Sequence, residues 1–321
     1  MGSAGNRLSP YATPSATREV LERHGLYTKY ALGQNFLVND DVVRKIVELA
    51  DVGPEDHVLE VGPGIGTLTS ALLQKAGRVT AVEMDHDLPA VLRNTLAPWL
   101  GRFTLLEMDG LDLTRDILEQ VAVDRVSGAS ESLPQGTPPI PNKLVSNLPY
   151  AVAATLVLDY LERFNFLESA TVMVQKEVAD RMMAKPGTKA YGAYTVKLAL
   201  HANAAGRFAV APGNFFPPPH VESAVIRLDR VLACDADGRP LTAEELHAAC
   251  AMADAAFATR RKTLSNSCKT YFSGDPDSVA RLPQLFEQAS VDPRRRGETL
   301  ALDEFVRLGK AYAAARKTTG A

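Results

Sequence analysis

The sequence specifies an α/β protein: a doubly wound, Rossmann-like domain followed by a small α-helical domain. Two observations carry this. Between His57 and Leu228, short β-branched runs alternate with helical patterns, the signature of parallel βαβ units. From Thr242 to about Ala315 the strand pattern is absent and only helical periodicity remains. A chain of 321 residues, 46% of them hydrophobic, is long enough to bury one full α/β core and to build a second, smaller domain.

Taken in order, residues 1–31 read as an N-terminal arm. Residues 1–18 contain Arg7, Arg18, Ser3, Ser9 and Ser15, and no acid precedes Glu19. That composition fits a mitochondrial transit peptide or a partly disordered arm, and the arm is the simpler reading. Asn39 or Asp40 then caps a helix. His57-Val58-Leu59-Glu60-Val61 is a strand, followed by a glycine turn and an amphipathic helix through Leu68, Leu72 and Leu73. Further strands are expected at residues 79–83, 103–108, 143–146, 170–174 and 223–228. The Ser/Gly/Pro-rich stretch between Ser127 and Pro141 reads as an inserted surface loop. Asp235-Ala236-Asp237-Gly238-Arg239-Pro240 is a linker of turn residues, which divides the chain at residues 32–234 and 241–321. No internal repeat is present.

Composition narrows the function classes. No apolar run approaches the ~18 residues of a membrane helix, which points to a soluble chain. Cys234, Cys250 and Cys268 are odd in number and far apart, as expected in a reducing compartment and not in a disulfide framework. The six histidines do not pair at ligand spacing, so no metal is expected. Net charge is −3 overall but uneven. Phe257–Lys317 holds twelve Lys/Arg against seven Asp/Glu, an excess of five positive charges, and the rest of the chain carries −8. Arg260-Arg261-Lys262 with Lys269, and Arg294-Arg295-Arg296, form two basic clusters. Either alone reads as a solvated helix face; together, in an acidic chain, they suggest RNA contact.

In open α/β sheets ligands bind beyond the carboxyl ends of the strands, so residues placed there are the candidates for chemistry. Gly62, Gly64 and Gly66 follow the first strand, where a backbone without Cβ lets a ligand approach closely. Their G-x-G-x-G spacing is one residue short of the dinucleotide fingerprint, which suits a ligand without a pyrophosphate. Glu83 ends the next strand and can accept two ribose hydroxyls; Asp109 ends the one after and can accept an adenine amine. Ribose, adenine and an amino-acid tail together describe S-adenosylmethionine. The glycines alone would fit any nucleotide-binding turn; the two acids at successive strand ends argue for the nucleoside.

Asn147-Leu148-Pro149-Tyr150 closes the fourth strand. An exocyclic adenine amine is a poor nucleophile because its lone pair is delocalised into the ring. Two acceptors, the Asn147 side-chain oxygen and a backbone carbonyl of the Leu148-Pro149 segment, could hold its N–H groups and favour a pyramidal nitrogen, while Tyr150 offers a stacking face. Without the upstream motif, an Asn-Pro turn with a capping Tyr would be the plainer reading. Phe215-Phe216-Pro217-Pro218-Pro219 is a rigid connector that could add an aromatic wall for an extruded base.

The blocks Leu32–Leu37, Glu60–Gly66, Asn147–Tyr150, Val174–Glu177, Lys189–Gly192, Pro217–Val225 and Phe257–Lys262 occur in one order over nearly the whole chain, from about Leu32 to Ala311. In these the sequence resembles the small-subunit (16S) ribosomal RNA adenine N6,N6-dimethyltransferase family, whose relatives include macrolide-resistance rRNA methyltransferases and mitochondrial transcription factor B proteins. The resemblance implies a Rossmann-like S-adenosylmethionine-dependent methyltransferase domain over residues 32–234 and an α-helical rRNA-binding domain over residues 241–321. It implies donor contacts at Asn35, Leu37, Gly62, Glu83, Asp109 and Asn147. It implies target-adenine contacts at Asn147, Leu148, Tyr150 and Phe215, although Phe216 replaces the small residue usual at its position. It implies four methyl transfers to two adjacent adenines in a hairpin near the 3′ end of 16S rRNA, carried on an immature small subunit. Apart from the resemblance, a cytoplasmic location and a monomer are expected, although the sequence itself does not fix the oligomeric state. The insert at residues 127–141 is longer than the family pattern. Two other readings stay open: a non-catalytic rRNA-binding assembly factor, and an adenine methyltransferase acting on large-subunit rRNA.

Overall fold

The computed structural model describes residues 7–29, 34–128 and 136–317; Leu32, Gly33 and residues 129–135 of the insert lie outside them. Two compact units form: one from the residues up to Ala179 with Ala204–Asp229, the other from Asp180–Asn203 with the residues from Arg230 onward. The strands in chain order are β1 (Phe36–Leu37), β2 (His57–Val61), β3 (Arg78–Glu83), β4 (Phe103–Glu107), β5 (Lys143–Asn147), β6 (Ser169–Gln175), β7 (Ala202–Val210), β8 (Phe215–Phe216) and β9 (Ser223–Arg230). The helices of the first unit are α1 (Pro14–Arg23), α2 (Asp40–Ala50), α3 (Thr67–Leu73), α4 (Leu88–Thr95), α5 (Arg115–Gly128) and α6 (Ala153–Arg163). α7 (Lys176–Met182) carries the chain from the first unit into the second, which holds α8 (Ala193–Ala199), α9 (Ala243–Phe257), α10 (Leu264–Tyr271), α11 (Pro276–Gln288) and α12 (Leu302–Lys317).

The main sheet has the order β4-β3-β2-β5-β6-β9-β7. β2 pairs in parallel with β3 on one side and β5 on the other, and β9 runs antiparallel to β6. The chain therefore winds outward from β2 through β3 to β4, then restarts at β5 across β2. That reversal leaves a crevice beyond the carboxyl ends of β2 and β5. All residues of β2 and β3 are buried, as in a sheet covered on both faces. α2 and α3 supply Val43, Ile46, Val47, Leu68 and Leu72 to a core completed by Val58, Val79 and Val145. Asn39 caps α2 by accepting the Asp41 N–H at 2.9 Å, with Asp40 and Asp41 in the first turn.

Residues 7–29 are not the disordered arm expected from composition. The Asp40 carboxylate accepts the N–H groups of Leu8 (3.0 Å) and Ser9 (2.7 Å), and the Tyr11 hydroxyl donates to Thr95 O at 2.7 Å. Leu8 and Ala12 join the main core, and Thr13 caps α1 with Pro14 at its first position. The partners are thirty to ninety residues away, so local composition carried no sign of them.

β1 and β8 form a second, two-stranded antiparallel ladder, Phe36 opposite Phe216 and Leu37 opposite Phe215. It is reinforced by Val38 N–H to Asn214 O at 2.8 Å and by Asn39 Nδ2 to Asn214 Oδ1 at 2.7 Å. The ladder fixes residues 34–37 beside the glycine turn.

In the second unit a Thr242–Glu245 capping box starts α9. α9 and α12 approach so closely that a Cβ on Gly309 would sit 2.6 Å from Ala249. Met252, Leu264, Leu282, Phe286, Phe305 and Leu308 fill the helical core, and Tyr191 and Val196 belong to it too. The Tyr191 hydroxyl donates to Leu300 O at 2.9 Å. Residues 180–203, which the linker-based division left with the sheet, thus bury their apolar side chains among the helices.

Candidate active site

A cavity of about 960 Å³ opens at the carboxyl ends of β2 to β5. It is lined by Asn35, Leu37, Gly62, Gly64, Glu83, Asp109, Asn147, Leu148 and Tyr150, so residues spread over more than a hundred positions meet there. The turn after β2 is held by Gly62 N–H to Val82 O at 2.9 Å. Gly62 has φ +72° and Gly64 φ +60°, a region L side chains rarely adopt. A Cβ on Gly64 would lie 3.1 Å from the Phe36 ring, a tight contact that would press on β1.

The electrostatics of this cavity are one-sided. Among the described residues its lining contains Glu60, Glu83 and Asp109 and no Lys or Arg. Glu83 is 7% exposed, and burial pushes its carboxyl above the usual carboxylate range although the Asp85 N–H donates to it at 2.9 Å. Glu60 is fully buried at the end of β2, and its Oε2 has no hydrogen-bond partner. Burial pushes its carboxyl up to about 8; the Thr69 hydroxyl draws it down and the Glu83 charge adds to the rise. Thr67 Oγ1, also in the lining, is buried without a partner. Buried polar atoms left unsatisfied are costly unless a ligand completes them. Outside the cavity, Asp85 is matched by Lys29 at 2.5 Å and Gln34 at 2.7 Å. Asp109 caps the turn after β4, its Oδ1 accepting the Leu111 N–H at 2.9 Å.

Glu60, Thr67 and Gln34 were not singled out from the sequence as site residues. For Glu60 a signal existed: an acid between Leu59 and Val61 inside a buried strand is expensive to bury and marks a site.

Asn147 ends β5 at the opposite wall. Its Nδ2 donates to Asn35 O at 3.3 Å, which turns Oδ1 away as a free acceptor. The Pro149 carbonyl already accepts the N–H groups of Val152 (3.2 Å) and Ala153 (3.1 Å), where α6 begins. Of the two backbone acceptors considered for this segment, Leu148 O is therefore the available one. The Tyr150 hydroxyl lies 2.5 Å from Ser223 Oγ, which pins the ring at the cavity wall.

Phe215 does not face the cavity. It is 3% exposed and packs in the main core, held there by the β1–β8 ladder. Phe216 packs beside Ile65 and Leu88 with the Arg18 guanidinium over its ring at 5.0 Å. The strand alternation that sets one of them inward leaves neither as an aromatic wall; residues 217–221 line the cavity instead.

In the second unit the basic clusters divide. Arg295 is an internal strut: it pairs with Glu304 at 2.5 Å and donates to Thr299 O at 2.6 Å. This corrects its placement among RNA-binding residues. Arg260 pairs with Glu298 at 3.1 Å and Arg294 with Asp292 at 3.0 Å. Arg261, Lys262, Lys269 and Arg296 are exposed and make no side-chain hydrogen bond or ion pair among the described residues.

The family model described as ribosomal RNA adenine dimethylase matches residues 26–307. A protein of Enterococcus faecalis named ribosomal RNA small subunit methyltransferase A is 40% identical over 300 residues, 94% of this chain and 95% of that one. One of the same name from Staphylococcus aureus is 35% identical over 298 residues, 92% and 94% of the two chains. Among solved structures, a dimethyladenosine transferase from Plasmodium falciparum superposes with a TM-score of 0.64 at 19% identity, covering 85% of this chain and 95% of that one. The 23S rRNA methyltransferase ErmE gives 0.60 at 23% identity, covering 87% and 99%. These two show the fold.

Proposed function

The chain belongs to the ribosomal RNA adenine dimethylase family, and from that premise we propose that it transfers methyl groups from S-adenosylmethionine to the N6 amines of two adjacent adenines near the 3′ end of small-subunit rRNA. The observation that carries this is the cavity itself, where acids without counter-cations lie opposite a free amide oxygen.

The donor fits the residues present. Gly62 and Gly64 leave room for the amino-acid tail, Glu83 would accept the ribose hydroxyls, and Asp109 the adenine amine, with Asn35 and Leu37 closing over them. When bound, S-adenosylmethionine supplies an electrophilic methyl on a sulfonium. The chain's own part is positioning. Asn147 Oδ1 and Leu148 O accept the two N–H groups of the target amine, which aims the nitrogen lone pair out of the ring plane. Tyr150 stacks on the base, and the apolar walls at Leu37, Leu148 and Pro217 exclude water. Preorganised acceptors of this kind need no strong base. Arg261, Lys262, Lys269 and Arg296 hold rRNA phosphates, aided by Arg260 and Arg294 once their surface pairs exchange. We read the acceptor as an immature small subunit in the cytoplasm and the enzyme as a monomer.

The test is methyl transfer from labelled S-adenosylmethionine to small subunits isolated from a strain lacking this protein. Four methyls per subunit on two neighbouring adenines are expected. Labelling of large subunits only, or of neither, would overturn the reading.

A further inference from the structure

Residues 34 and 35 join the two walls of the cavity. On the acceptor wall, Asn147 Nδ2 donates to Asn35 O at 3.3 Å. A carbonyl can only accept, so this bond decides which end of the amide is left for the target amine: with Nδ2 engaged, Oδ1 is presented. The terminal torsion of an asparagine is broad and nearly two-fold, so without that bond the amide can turn and set a donor against the amine's own N–H groups. The place of one backbone carbonyl therefore decides what Asn147 offers. That carbonyl is anchored on both sides. After it, β1 holds Phe36 opposite Phe216. Before it, Gln34 donates Nε2 to Asp85 Oδ2 at 2.7 Å and accepts the Lys29 N–H on Oε1 at 2.9 Å. Asp85 follows β3 and is 5% exposed; its Oδ1 takes Lys29 Nζ at 2.5 Å and the Asp87 N–H at 3.1 Å. Burial alone would raise its carboxyl, but the Lys29, Asp87 and Gln34 donors outweigh burial and hold it below the usual carboxylate range. Its own N–H donates to Glu83 at 2.9 Å, on the donor wall. One carboxylate outside the cavity lining thus reaches the donor wall through its backbone and the acceptor wall through Gln34 and Asn35.

We propose that Asp85 is a positioning residue for methyl transfer: by clasping Gln34 it holds Asn35 O against Asn147 Nδ2, and so keeps Asn147 Oδ1 turned to the target amine. It touches neither donor nor base. Lys29 completes the clasp, binding the Asp85 carboxylate with its ammonium and Gln34 with its backbone N–H. The last link is the sensitive one, because 3.3 Å is close to the limit of a hydrogen bond and a small shift of residues 34 and 35 would break it.

This role rests on the reading of Asn147 as the acceptor, and single-turnover methyl transfer to small subunits at saturating S-adenosylmethionine separates the two. Asp85→Ala should slow the step about tenfold, the cost of a misplaced group, with small-subunit affinity unchanged. The same substitution in an Asn147→Ala background should cost less than about twofold, because the amide it serves is already gone. A residue that only stabilises the fold would lower the melting temperature and leave the rate of the folded enzyme alone, or slow both backgrounds equally. Gln34→Met, which opens the clasp and leaves buried Asp85 in place, should reproduce the pattern, and it decides the question if Asp85→Ala does not fold. Equal losses in the two backgrounds, or a wild-type rate for the substituted clasp, would overturn the positioning role alone. A wild-type rate in Asn147→Ala would overturn the acceptor reading and the role of Asp85 with it.

Discussion

The cavity of the first unit and the surface of the second handle charge in opposite ways. In the cavity, Glu60 and Glu83 are buried acids without counter-cations, and each sits above its ordinary range because burial disfavours its charge. On the helical unit, Arg261, Lys262, Lys269 and Arg296 are exposed cations without counter-anions. One arrangement is short-ranged, dry and hardly screened; the other is solvated, additive and sensitive to salt. A small cation that must be held in one pose calls for the first, and a long polyanion for the second. The net charge of −3 hides both.

The largest expected effect tests the cavity's reacting wall. Asn147→Ala removes the free amide oxygen and should slow single-turnover methyl transfer at saturating donor by about 10²–10³, while rRNA affinity changes little. A rate near wild type would remove Asn147 from the chemistry. Next in size, Glu83→Ala and Asp109→Ala should each weaken S-adenosylmethionine by about 1–3 kcal/mol with the fold intact by circular dichroism. If calorimetry finds donor affinity unchanged in both, the nucleoside lies elsewhere. The smallest effect concerns the basic face and divides adjacent arginines. Arg261→Ala and Arg296→Ala should each reduce the slope of log affinity for small subunits against log salt by ~0.7–0.9 per lost phosphate contact. Arg295→Ala should instead lower the melting temperature through the loss of Glu304 and Thr299 O and leave the slope in place. A slope change in Arg295→Ala equal to that of Arg261→Ala would erase the distinction between strut and grip.

What the sequence disclosed follows the range of the interactions involved. Gly62, Glu83, Asp109 and Asn147 were legible because each is the residue at or just after a strand end, and strands are marked by local patterns. β7 was missed because Ala202–Val210 has little β-branched content and lies at the edge of the sheet, with only its two end residues buried. The β1–β8 ladder is two residues long on each side and joins segments about 180 positions apart, so no window contains its pattern. That ladder also decided Phe215: a phenylalanine beside prolines reads as a binding wall until the register turns it into the core. Arg295 was indistinguishable from its neighbours because its carboxylate, Glu304, lies on the next helix. The resemblance supplied Asn35 and Leu37, which no local physical pattern would have offered.

The division of the chain has a bearing on how relatives could exchange parts. Because α8 and Tyr191 belong to the helical core while β7 and β9 return to the sheet, the second unit is an interrupted module. A single crossover in the turn at residues 235–240 would join α9 to α12 from one parent to an α8 from another, and Tyr191 would have to meet a foreign Leu300 carbonyl. Swapping the helical unit therefore takes two grafted segments, residues 180–203 as well as residues 230–317, and a chimera that moves both should fold where the one-joint chimera does not.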